Sequence, residues 1–149
     1  MIVERGGRQI LLHGLALVFA ALAWGFVVPM TPHPRLALTA HIQLAMNGLL
    51  FLAMATLLLK FRHQVARWSV GIMVLSAWLT WAMALSEIAN AWWGTRRILP
   101  IAASQAGAGG AEPWQETLLA ITHLGSGIGV LVAWGLLLAG FWKARGEAA

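Results

Sequence analysis

Apolar residues gather into four long runs, at positions 10–30, 36–59, 68–93 and 116–142. Pro29 and Pro32 close the first run, Lys60 and Arg62 the second, Gly94 and Arg96 the third, and Lys143 the fourth. At about 1.5 Å per helical residue, each run can cross a hydrocarbon core of roughly 30 Å. Spanning β-strands need only about 10 residues and alternate in polarity, and these runs do not alternate. The pattern predicts an all-α integral membrane protein, a single four-helix transmembrane bundle covering residues 1–149.

Composition agrees. The chain is 60% hydrophobic and 10% charged, with a mean hydropathy of +0.75, whereas an ordinary soluble domain carries about 25% charged residues. This excludes a disordered chain, a nucleic-acid-binding arm and a cytosolic single-domain enzyme, and leaves membrane lipid as the surrounding medium. Cysteine is absent, which removes disulfides, thiolate metal sites and cysteine nucleophiles; tyrosine is absent too. The net charge of +5 comes from basic residues at the ends of apolar runs, where anionic headgroups and topology explain them without nucleic acid.

Four spans place both termini and the second connection on one side. That side carries Arg5, Arg8, Lys60, Arg62, Arg67, Lys143 and Arg145; the other carries Arg35, Arg96 and Arg97. The positive-inside rule then makes both termini cytoplasmic, in a bacterial-type inner membrane. A cleaved signal peptide is the rival reading of the first run, because Ala21-Leu22-Ala23 fits an A-x-A site. The run nevertheless continues through Trp24, Phe26, Val27 and Val28, beyond the roughly 7–15 apolar residues of such peptides, which favours a retained helix. The third connection, 94–113, is long and begins apolar, as suits a segment lying on the membrane or over a pocket; a flexible connector is the plain alternative.

Polar groups at membrane depth are costly, so each is a candidate site. The second run holds Thr39, His41, Gln43 and Asn47; the third Ser76, Thr80, Ser86, Glu87 and Asn90; the fourth Thr122, His123 and Ser126, with Glu116 at its mouth. Ser76, Thr80, Met83, Glu87, Asn90 and Gly94 recur at three- and four-residue intervals and form one stripe facing the bundle interior. Gly125-x-x-x-Gly129 reads as a close-packing seam. His41, Glu87, Asn90 and His123 all fall in the outer half of the membrane, and three helices are expected to converge there on one polar layer. His41 and Asn47 point about 120° apart and lie about 9 Å apart along their helix, so one helix offers them to different neighbours. His41 suits either an interhelical hydrogen bond or a ligand role, and His41 and His123 are both candidate metal or heme ligands. His13, His33 and His63 are expected to be solvated. No H-E-x-x-H motif, nucleophile triad or phosphate-binding glycine loop is present.

The segment Ala40-His41-x-x-x-Ala45-x-Asn47-Gly48 resembles the family of hydroxylaminobenzene mutases and styrene oxide isomerases. His13-Gly14 is similar to the family's opening. Pro34-Arg35, Asn90-Ala91-Trp92-Trp93-Gly94, Leu99-Pro100-Ile101-Ala102-Ala103 and Gln115-Glu116 resemble the mutase branch. The resemblance implies a membrane isomerase acting on small aromatic substrates. In the styrene oxide isomerase branch it implies a homotrimer with heme b at subunit interfaces. His41 would be the axial ligand to the heme iron and Asn47 would orient the substrate, with ferric heme acting as a Lewis acid. That branch places a tyrosine on the third helix beside the substrate. This chain has none, which points to the mutase reaction: an arylhydroxylamine becomes an ortho-aminophenol as hydroxyl moves from nitrogen to the ring. Glu87 or Asn90 would then stand in for the tyrosine as proton handler or hydrogen-bond donor, making Asn47, Glu87 and Asn90 the expected catalytic residues. The remaining readings are epoxide-to-aldehyde isomerisation, an electron-transfer cytochrome with His41 and His123 as paired ligands, and a non-catalytic membrane scaffold.

Overall fold

The computed structural model describes residues 2–146. Five α-helices follow one another: α1 Ile2–Val27, α2 Pro34–Lys60, α3 Arg67–Trp93, α4 Pro100–Gln105 and α5 Pro113–Gly146; a 3-10 turn, Val28–Met30, extends α1. The protein is all-α, and α1, α2, α3 and α5 are long and apolar enough to cross a membrane. A chain in lipid must satisfy its backbone polar groups within each segment, and continuous helices do so.

Local chemistry sets the breaks. Pro34, Pro100 and Pro113 open their helices, where the missing N–H and fixed φ of proline cost nothing. Gly94 ends α3 in the left-handed region, at φ 72°, and its N–H bonds the Asn90 carbonyl at 3.0 Å, a turn that favours glycine. α1 begins eight residues before the apolar run because its amphipathic first turns continue the helix outside it, with a bond of 2.8 Å from Arg8 to Glu4. The helix passes unbroken through Ala21-Leu22-Ala23.

The helices alternate in direction. α1 and α2 form an antiparallel pair whose backbones approach closely at Gly14 and Gly48: a Cβ on Gly14 would stand 3.0 Å from the Gly48 carbonyl oxygen, and the converse distance is also 3.0 Å. α3 packs on this pair, and α5 runs antiparallel along α3. Gly6 meets Val70, Gly7 meets Leu59, and Gly140 meets Val65, so the start of α1, the α2–α3 turn and the end of α5 share one end of the bundle. The 94–113 connection lies at the other, here called the loop end.

α3 is the most buried helix and α5 the least. The Gly125-x-x-x-Gly129 seam is only half realised. Gly129 packs on Ser76 and Leu79 of α3, whereas a Cβ on Gly125 would meet nothing, as at Gly127 and Gly135. α5 simply touches α3 along one face, and Gly125 falls outside it.

The 94–113 connection is ordered by named bonds. α4 packs against α2, and Arg35 Nε donates to Gln105 Oε1 at 2.6 Å. Glu116, in the first turn of α5, accepts from Arg96 N at 2.8 Å and Arg97 N at 3.0 Å, one on each oxygen.

Candidate functional site

The third-run stripe faces inward as its spacing predicts. Ser76, Thr80, Met83, Glu87 and Asn90 are all buried, while Trp78 and Leu85 are exposed. Three pairs of polar side chains join α3 to α5. Ser86 Oγ lies 2.7 Å from Thr122 Oγ1, and Thr80 Oγ1 lies 3.1 Å from Ser126 Oγ. Beside the first pair, His123 Nε2 contacts Glu87 Oε1. Glu87 has no exposed surface, and among the described residues neither of its oxygens has another protein partner.

Asn90, one turn further along, caps the helix: its Oδ1 accepts from Thr95 N at 2.8 Å. Its Nδ2 is buried and free, as is Thr95 Oγ1.

His41 lies apart from this cluster. Its ring faces α1, with Nδ1 2.9 Å from the Ala21 carbonyl oxygen. A carbonyl can only accept, so Nδ1 carries the proton and Nε2 keeps its lone pair. Among the described residues Nε2 has no partner, and it is not enclosed. Gly25 makes room for the ring: a Cβ there would stand 3.3 Å from Cε1 and 3.4 Å from Nδ1. An imidazole oriented by a carbonyl at one nitrogen and open at the other is the usual arrangement of a metal-binding histidine. His41 therefore fits a single-ligand role.

His123 is placed differently. Its Nδ1 lies 3.1 Å from the Leu119 carbonyl oxygen and its Nε2 meets Glu87, so neither nitrogen is open. Within one chain His41 faces α1 and His123 faces α3. The expected single polar layer is thus two sites, because α2 turns His41 toward α1 while α5 packs on α3. Among the described residues no three His, Asp or Glu side chains converge as a metal-binding group.

Asn47 is buried on α2 and donates through Nδ2 to the Gln43 carbonyl at 2.9 Å and to Gln43 Oε1 at 3.2 Å. Among the described residues its Oδ1 has no partner, and it is not enclosed.

The other histidines are held rather than solvated. Trp81 Nε1 donates to His13 Nδ1 at 3.1 Å, and Trp78 meets the same ring edge-on at 4.7 Å. His63 bonds the Leu58 carbonyl at 3.0 Å and accepts from Val65 N at 3.2 Å, fixing the α2–α3 turn. His33 lies under Gly94, where a Cβ would come within 2.7 Å of its Nε2, and its Nδ1 is buried without a partner. His13 and His63 find tryptophan and backbone partners, and His33 is covered by Gly94, through contacts that a one-dimensional pattern does not contain.

Residues 7–142 match the family described as styrene oxide isomerase. The chain belongs to that family. Among curated relatives it is 30% identical over 139 residues to hydroxylaminobenzene mutase HabB of Ectopseudomonas oleovorans, an alignment covering 92% of this chain and 82% of the relative. No solved structure matches the chain. Membership makes the protein an isomerase, and its four apolar helices make it a membrane protein.

Proposed function

We propose that this isomerase rearranges a small arylhydroxylamine to the ortho-aminophenol, using heme b held by His41. Likeness to the mutase over 92% of the chain carries the reading. Ferric heme, when bound, supplies a Lewis acid that polarises the N–O bond. The Ala21 carbonyl fixes the tautomer and direction of the His41 ring, and Gly25 leaves the ring space. Asn47 offers Oδ1 as an acceptor, because Gln43 occupies its Nδ2. An arylhydroxylamine has N–H and O–H donors for that oxygen and an epoxide has none, which favours the former. On α3, Glu87 serves as proton handler and Asn90, through its free Nδ2, as hydrogen-bond donor.

Epoxide-to-aldehyde isomerisation is the second reading, favoured by the family match and disfavoured by the absence of tyrosine. The paired-histidine cytochrome would need a His123 nitrogen that is already engaged.

The working form is a homotrimer in a bacterial inner membrane with cytoplasmic termini. Support comes from α5, which exposes Leu124, Ile128 and Leu131 beside glycines whose side would admit a neighbouring helix.

The experiment is turnover of an arylhydroxylamine and an aryl epoxide by purified protein in detergent, with a visible spectrum and a detergent-corrected mass. Ortho-aminophenol formation with a Soret band at trimer mass is expected. Aldehyde as the main product would select the second reading, and a colourless active protein would remove heme.

A further inference from the structure

Buried polar atoms are almost always satisfied by protein or by ordered water. Most intramembrane hydroxyls here follow the rule: Ser86, Thr80, Thr122 and Ser126 all have protein partners. Among the described residues Ser76 Oγ and Trp134 Nε1 are separate exceptions, and the remaining exceptions form a contiguous set. Among the described residues Asn90 Nδ2, Thr95 Oγ1, His33 Nδ1 and Glu87 Oε2 are buried without partners, and Glu87 Oε1 has only the His123 Nε2 contact. These groups are neighbours. Glu87 and Asn90 are one turn apart on the same face of α3, Asn90 Oδ1 holds Thr95 N at 2.8 Å, and Gly94 rests on the His33 ring. Together they mark a polar path from the loop end to Glu87, beneath the segment that Glu116 ties down.

The Glu87–His123 contact has a proton requirement. Leu119 oxygen accepts from His123 Nδ1, so Nδ1 carries a proton. Nε2 of a neutral ring would then present a lone pair to a carboxylate oxygen, and two acceptors repel. A favourable contact needs one further proton, on oxygen or on nitrogen.

We propose that Glu87 and His123 hold one proton in common and exchange it with water entering at the loop end past His33, Thr95 and Asn90. The use of this proton rests on the isomerase reading. In the conversion of an arylhydroxylamine to an ortho-aminophenol, the N–O and one ring C–H bond break while C–O and N–H bonds form. Formula and electron count are unchanged, and one proton passes from carbon to nitrogen. A pair that gives and regains a single proton matches that balance, with the water path resetting it.

The test uses the whole protein in lipid nanodiscs without substrate. Infrared difference spectra between wild type and Glu87→Gln, with ¹⁵N NMR of His123, report the shared proton as a carboxylic acid or as an imidazolium. Either signal, lost in Glu87→Gln and shifted promptly in D₂O, is expected. A carboxylate beside a neutral imidazole would overturn the shared proton. Failure of the wild-type signal to shift after overnight D₂O would overturn the path. Thr95→Val keeps the Thr95 N–H bond to Asn90 and removes the free hydroxyl, and should slow the shift at least tenfold; an unchanged rate also overturns the path. None of these readouts involves turnover, so an inactive or heme-free protein would refute the proposed reaction and leave this result standing.

Discussion

Replacing Gly48 with alanine tests the α1–α2 seam where it is tightest. The new Cβ would lie 2.9 Å from Val18 N and 3.0 Å from the Gly14 carbonyl oxygen, where ordinary contact starts at 3.4 Å. Both atoms are backbone, so no rotamer relieves the clash, and α1 must retreat by about 0.4–0.5 Å. Overpacking of this kind costs about 1–3 kcal/mol, equivalent to an equilibrium constant lowered by about 5- to 140-fold. The same retreat would stretch the His41 Nδ1 bond to Ala21 from 2.9 Å toward about 3.4 Å, where such bonds are weak. The assay is unfolding in mixed micelles titrated with a denaturing detergent. Gly71→Ala serves as control, since its Cβ would meet nothing; it should not destabilise, and should gain up to about 1 kcal/mol from the helix preference of alanine over glycine. Gly48→Ala as stable as wild type, or Gly71→Ala equally damaging, would refute the seam.

His41→Ala should lose both the Soret band and activity, whereas Asn47→Ala should keep the band and lose most turnover; a normal band in His41→Ala overturns the ligand assignment. Glu116→Gln leaves one of the Arg96 and Arg97 N–H groups without an acceptor, at a cost of about 1–3 kcal/mol, and should increase proteolysis within 94–113 with α1–α3 unaffected. Reporter fusions at each terminus should both signal a cytoplasmic location, and a periplasmic signal from either would reverse the charge-based topology.

The spans were legible because length and apolarity alone decide them, and the α3 stripe because a helix repeats its face every three to four residues. Partners were not legible. Glu87 and His123 sit on separate apolar runs, and only the packing of α5 on α3 brings them together. Gly125-x-x-x-Gly129 has the spacing of a packing motif but contributes one glycine, whereas Gly14 and Gly48 bring the α1 and α2 backbones together without any local signature. His41 was legible as a candidate, but its direction depends on Gly25 and the Ala21 carbonyl across the seam. α4 is a six-residue helix, too short for periodicity to register.

The attachment of α5 has a consequence for biogenesis. Chains emerge from their N-terminus, so α1, α2 and α3 can assemble while α5 is still being synthesised. During that interval the Glu87 carboxyl faces lipid, and Thr80 and Ser86 lack the hydroxyls of Ser126 and Thr122. Lipid tails match apolar side chains as well as another helix does, so apolar contact alone gives α5 little reason to settle. The exposed polar row gives it both a reason and a register, since a shift by one turn would leave Glu87 without His123. An enzyme that carries this carboxyl inside the bilayer thereby also carries the signal that recruits its last helix.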